Sequence, residues 1–212
     1  MSRPLLQIAL DDQNTPDAIS SLIALGDVVD IIEIGTILYL QEGKAAVEVI
    51  RAMYPQKRIL ADTKCADAGK TVAQNCKDAG ATCMTVICSA TIQTMVAAKQ
   101  AIGEVQVELY GNWTFDDAQL WMDNGIDQVV YHQSRDALLA GKTWTDEDLN
   151  KINQLIRMGF KVSVTGGLDV TSIERFKGLD VYAFIAGQSL REAESPKAAA
   201  IAFKDEINRV FA

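Results

Sequence analysis

The sequence predicts an α/β fold, a (β/α)8 TIM barrel formed by a single domain over residues 1–212. Three observations point there. Eight short runs rich in apolar and β-branched residues recur along the chain. Helical stretches separate them, and the repeating unit averages about 26 residues, which suits βα repetition. The runs are nearly continuous in apolar residues, as expected for parallel strands covered on both faces. A doubly wound open sheet would use the same units. Eight of them suggest closure, at the short end of the barrel's size range.

In chain order the strands are expected at LLQIAL (5–10), VVDIIEIG (28–35), RILAD (58–62), CMTVIC (83–88), VQVELY (105–110), QVVYH (128–132), KVSVTGG (161–167) and VYAFIAG (181–187). The first helix is TPDAISSLIAL, with Thr15 as N-cap and Pro16 at the first helical position. EGKAAVEVIRAM, AGKTVAQNCKDAG, TIQTMVAAKQAIG and TFDDAQLWMDNG each fit one further helix. TWTDEDLNKINQLIRMG and SPKAAAIAFKDEINRVF fit longer ones. Gly80, Gly103, Gly125 and Gly159 stand where helices should stop. LDVTSIERFKGLD leaves room for only a short helix, and no linker or domain boundary interrupts the chain.

Composition narrows the function. With 49% hydrophobic and 23% charged residues the chain reads as an ordinary soluble protein, expected in the cytoplasm. A formal net charge of −8 argues against nucleic acid or an anionic membrane as partner, since both need a positive field. MSRPLLQIALDD turns acidic too soon for a signal peptide, and no run of about 18 apolar residues could span a bilayer. Cys65, Cys76, Cys83 and Cys88 form no C-x-x-C pair and there is one histidine, so a zinc site is not expected. Free thiols are the simplest reading.

A barrel places its chemistry at the C-terminal ends of its strands. Here those ends carry Asp11, Glu33, Asp62 with Lys64, Glu108, His132 followed by Arg135, Thr165-Gly166-Gly167, and Ala186-Gly187-Gln188. Most isolated acids at such positions are turn formers or caps, and Asp12 and Asp27 are read that way. Glu33 differs, because apolar neighbours flank it on both sides, and an ionised carboxylate there needs a cation or strong donors. His132 could be a core histidine, but it ends a strand. Cys65 has no adjacent base and is not read as a nucleophile; the Met and Trp residues read as packing.

Residues 62 and 64 are two apart, so on a strand they share a face, here toward the barrel mouth. Nearby carboxylates, with Asp67 in the following loop, keep the Lys64 ammonium charged, fit to stabilise an anion rather than to attack as an amine. Glu33 and Asp62 on neighbouring strands supply two hard oxygens with positions to spare, which suits Mg²⁺. The glycines after strands seven and eight allow backbone N–H groups to approach a phosphate.

DTKCAD matches the Asp-x-Lys-x-x-Asp motif of the orotidine 5′-monophosphate decarboxylase suprafamily. Within it, VDIIEIGT, DTKCADAG, VELYGNWT, VYHQSRDA, VTGGL and FIAG resemble the 3-keto-L-gulonate 6-phosphate decarboxylase branch, over essentially the whole chain. A sister branch, 3-hexulose-6-phosphate synthase, runs an aldol reaction through a similar intermediate; a non-catalytic sugar-phosphate-binding barrel is the third alternative. YHQSRDA, with His132 and Arg135, looks like the decarboxylase branch. The resemblance implies a homodimer that removes CO₂ from a phosphorylated 3-keto sugar acid and gives L-xylulose 5-phosphate. It implies Mg²⁺ on Glu33 and Asp62, and Lys64 at the enediolate. It implies Asp67 reaching into the partner's site, and Asp11 on substrate hydroxyls. Glu108, His132 and Arg135 would position the substrate and the water that reprotonates it. Thr165, Gly166, Gly167, Gly187 and residue 188 would form the substrate and phosphate end. The family usually has Arg at that last position, where this chain has Gln188.

Overall fold

Eight parallel strands close into a barrel in sequence order. They are β1 (Leu5–Leu10), β2 (Ile31–Ile34), β3 (Arg58–Cys65), β4 (Cys83–Ile87), β5 (Val105–Leu109), β6 (Gln128–His132), β7 (Lys161–Thr165) and β8 (Ala183–Ala186). The structure, a computed structural model, describes residues 3–212. β8 pairs back onto β1, with Gln7 opposite Ile185, so no strand edge is left open. Ten helices and one 3₁₀ segment are described: α1 (Thr15–Leu25), α2 (Thr36–Glu42), α3 (Lys44–Met53), α4 (Gly69–Asp78), α5 (Ile92–Ile102), α6 (Phe115–Asp123), α7 (Arg135–Leu139), α8 (Asp146–Arg157), a 3₁₀ helix (Val170–Phe176), α9 (Gln188–Arg191) and α10 (Pro196–Val210).

Period-two alternation sorts each strand into two faces. Leu6, Ile8 and Leu10 of β1, Ile32 and Ile34 of β2, and Val105, Val107 and Leu109 of β5 join the main core with the helices. The alternate positions fill the barrel interior. Ile31, Leu60 and Cys83 form one small apolar cluster, and Ala9, Val130 and Ile185 another. Gln7, Gln106, Gln128 and Ser163 are buried as well. The strand runs therefore look continuously apolar in places, yet their interior face is half polar.

Several boundaries differ from the expectation. Asn14, not Thr15, caps α1; its side chain accepts from the Asp17 amide, and Pro16 sits in the first turn. The run after Glu33 turns directly into α2, a helix the apolar pattern did not separate from strand two. α7 and α9 are short additions in the loops after strands six and eight. Asp12 is no turn former: it is a buried partner of Arg191 at 3.0 Å and accepts from Ser21. β3 runs three residues past Asp62, and its pairing with β4 shifts register between Ala61 and Cys65.

Candidate active site

That register shift builds the centre of the site. Lys64 takes a left-handed backbone with φ +44°, unusual for a residue with a Cβ. Its amide is held by Thr85 Oγ1 at 2.9 Å. Its ammonium bonds Asp62 and reaches Thr36 Oγ1 at 2.7 Å, with Glu108 Oε1 at 4.0 Å. Thr36 donates to Asp62 Oδ2 at 2.5 Å and Thr85 donates to Asp62 Oδ1 at 2.6 Å, so both oxygens of this buried carboxylate are fixed. Burial pulls the Lys64 pKa down, but Glu108 and Asp62 outweigh it and the net direction is up. The side chain is therefore a held ammonium, as the local charge pattern predicts.

Glu33 sits beside this pair and accepts from Gln7 Nε2. Burial first, then Asp62 and Glu108, push its pKa well above the ordinary carboxylate range. The cluster thus carries more acid than Lys64 can balance, and all its free ligand atoms are hard oxygens. This fits a hard divalent cation held through Glu33 and Asp62. Among the described residues no group of three His, Cys, Asp or Glu converges on one point, so water or substrate would complete the shell.

Glu108 continues the chain of contacts. Its Oε2 lies 2.9 Å from His132 Nδ1, and the Tyr110 hydroxyl lies 2.8 Å from Nδ1 and 3.1 Å from Nε2. Across the mouth, Arg135 Nη2 donates to Asp11 Oδ2 at 3.0 Å. Gly35 makes room for Asp11, since a Cβ there would lie 2.4 Å from Asp11 Oδ1. At the far rim, Gly166 has φ +110° and a Cβ would meet the Gln133 carbonyl at 2.2 Å. Gly166 is thus required by backbone conformation and by space.

A cavity of about 560 Å³ gathers these residues, with the acid–ammonium cluster on one side and Thr165, Gly166, Gly167, Gly187 and Gln188 on the other. Every predicted site residue lines it except Asp67. Asp67 is exposed beyond the end of β3, and its carbonyl accepts from Cys65 Sγ at 2.9 Å. Within one chain the partners that hold Lys64 are Asp62 and Thr36. Burial raises the Cys65 thiol, in keeping with a structural role. Gln7, Gly35, Thr36, Thr85 and Tyr110 were not foreseen. Thr85 could have been, because period two from outward Met84 and Val86 turns it inward in the middle of β4.

The family described as Orotidine 5'-phosphate decarboxylase / HUMPS matches residues 4–203. The 3-keto-L-gulonate-6-phosphate decarboxylase UlaD of Salmonella paratyphi B is 49% identical over 215 residues, covering 100% of both chains. A crystal structure of KGPDC from Streptococcus mutans is 56% identical, covers 100% of both chains and superposes with a TM-score of 0.98. A 3-hexulose-6-phosphate synthase from Salmonella typhimurium is 28% identical over 97% of this chain and 99% of its own, with a TM-score of 0.90. The chain belongs to the orotidine 5′-phosphate decarboxylase / HUMPS family.

Proposed function

We propose that the protein decarboxylates 3-keto-L-gulonate 6-phosphate to L-xylulose 5-phosphate and CO₂, with Mg²⁺ bound by Glu33 and Asp62. The names of its relatives make it a carbon–carbon lyase. The observation that carries the finer reading is the Lys64–Asp62 pair at one end of a cavity whose other end is a glycine rim suited to phosphate. When a β-keto acid loses CO₂, the electrons of the broken C–C bond move onto the neighbouring carbonyl oxygen and give an enediolate. Lys64 is a preorganised cation for that oxygen, fixed by Asp62 and Thr36 before substrate arrives. Mg²⁺, when bound, supplies Lewis-acid stabilisation of the same developing charge. Asp11 and Arg135 meet across the mouth, where substrate hydroxyls would lie. His132, between Glu108 and Tyr110, stands where a water could be held to return a proton to carbon. Asp67, exposed and outside its own cavity, would complete the site of a second copy in a homodimer.

Incubation with 3-keto-L-gulonate 6-phosphate and Mg²⁺ should release CO₂. Excess EDTA should abolish turnover and added Mg²⁺ should restore it. Full activity in EDTA, or inactivation by borohydride in the presence of substrate, would point instead to a Lys64 Schiff base. Condensation with formaldehyde but no CO₂ release would move the assignment to the synthase branch.

Gln188 tests the phosphate end. Its side chain is exposed and donates to Glu192 Oε2 at 2.8 Å, along α9 rather than toward the glycine rim. Arg here would add charge-assisted bonds, each worth roughly 1.5–3 kcal/mol before solvent screening. Gln188→Arg should lower KM, by about tenfold per ~1.4 kcal/mol recovered, with kcat changing less. Glu192 will compete for the new guanidinium, so Gln188→Arg with Glu192→Gln should lower KM further. The gain should shrink as salt rises. A flat KM in both variants would mean that residue 188 does not reach the phosphate.

A further inference from the structure

Trp144 stands behind the glycine rim, in the loop between α7 and α8. It is buried and does not line the cavity, yet its indole Nε1–H donates to the Gly166 carbonyl at 2.9 Å. Its own carbonyl accepts from Arg175 Nη1 of the 3₁₀ helix at 3.0 Å. The ring lies 6.0 Å from that of Tyr131 and 5.1 Å from that of Phe176, edge-on to the latter. Tyr131 is itself tied to Asp148 Oδ1 at 2.7 Å, and Asp148 Oδ2 accepts from the amide of the next residue, Thr145, at 2.9 Å. Contacts from β6, the 3₁₀ helix and α8 thus fix where the indole N–H points.

The Gly166 carbonyl and the Gly167 N–H belong to one peptide plane. In a trans peptide the C=O and the N–H point opposite ways. A carbonyl turned outward to Trp144 therefore turns the Gly167 N–H inward, toward the cavity that both glycines line. Among the described residues no backbone acceptor meets that N–H. Two adjacent glycines, at φ +110° and +61°, have no side chains to hold the plane themselves. We infer that Trp144 is a positioning residue, which holds the Gly166 carbonyl outside the cavity and so aims the Gly167 N–H at the substrate's phosphate. The inference rests on the reading of the glycine rim as the phosphate end, and it names what preorganises that rim. Without the indole donor the plane is free to rotate and to present its carbonyl, a partial negative charge, to an anion.

The test uses the full chain. Labelling with ¹⁵N-tryptophan gives three indole signals, and that of Trp144 is the one Trp144→Phe removes. Inorganic phosphate added to the wild type at constant ionic strength should move this signal downfield. An acceptor on the Gly167 N–H polarises the same peptide's carbonyl and strengthens its bond to the indole. Trp144→Phe deletes the donor, and replacement of Trp144 by 3-benzothienylalanine deletes it with the shape of the ring kept. Both should raise the Kd for inorganic phosphate and the KM for the phosphorylated substrate by roughly three- to tenfold, the worth of one hydrogen bond, with kcat within about twofold. An equal phosphate Kd in the wild type and the benzothienyl variant overturns the inference. So does an indole signal unmoved at saturating phosphate, or a fall in kcat with KM unchanged. A wild type that binds no inorganic phosphate would remove the phosphate end itself, and the inference with it. If the phosphate readouts behave as expected but the keto acid is not turned over, the role of Trp144 stands and the substrate assignment falls.

Discussion

Lys64→Ala and Asp67→Ala will each be nearly inactive alone and will regain activity when mixed. In the proposed reaction Lys64 supplies the charge that faces the developing enediolate, and loss of one such preorganised group costs on the order of 10²–10³ in kcat. Asp67 lies outside its own cavity, on the exposed turn after β3, and in the proposed homodimer it would act on the site of the second copy. In a mixed dimer one site then lacks both groups and the other has Lys64 from one subunit and Asp67 from its partner. Random exchange between equal amounts makes half the dimers mixed, so about a quarter of the wild-type sites should return. Subunit exchange is followed independently, for example with two fluorescent labels. Exchange without recovery would place Asp67 in its own subunit's site. Full activity of Asp67→Ala alone would remove it from the chemistry altogether.

The barrel was legible because each strand advertises itself: eight β-rich runs, the helical spacing between them, and glycines where helices end. The glycine positions carry the expected conformation, with φ +100° at Gly80 and +101° at both Gly103 and Gly159. The acid and base residues were legible for a related reason, since a polar side chain just past an apolar run is conspicuous. What stayed hidden was polar matter that apolar residues could mask. Thr36 lies just past the expected strand 28–35, in a segment given no element, and only the folded chain shows it at the start of α2, bonded to Asp62 and Lys64. Gly35 reads as the last residue of the expected strand 28–35, yet the Asp11 carboxylate fills the space its Cβ would take. Gln7 looks like a surface alternation in LLQIAL and is instead fully buried against Glu33. Tyr110 sits one residue past β5, where its aromatic ring reads as core. In each case the missing information was a contact between strands far apart in sequence, which local pattern does not carry.

Glu33→Gln should melt at a higher temperature than the wild type in metal-free buffer at neutral pH, while losing most of its activity. Burial, reinforced by Asp62 and Glu108, raises the folded-state pKa of Glu33 well above its unfolded value. A carboxyl raised on folding binds its proton more readily in the native chain. Its contribution therefore favours the folded state at pH below the unfolded value, and that contribution is lost as pH rises through the folded one. At neutral pH the wild type pays the full cost of ionising Glu33, or keeps it protonated against solvent. An amide carries no charge, and its oxygen can still accept from Gln7. Lys64 keeps Asp62 and Glu108 as counter-charges. Each kcal/mol relieved should raise the midpoint by about 2–4 °C for a chain of this size. The advantage should vanish in acid below the ordinary glutamate range. Mg²⁺ should reverse the order at neutral pH: at a hundred times its Kd it adds about 2.7 kcal/mol to a protein that binds it, and the Gln variant has lost a ligand. A Gln variant that melts lower than wild type without metal would mean Glu33 is held by contacts that outweigh its burial. Equal stabilisation of both proteins by Mg²⁺ would place the cation elsewhere.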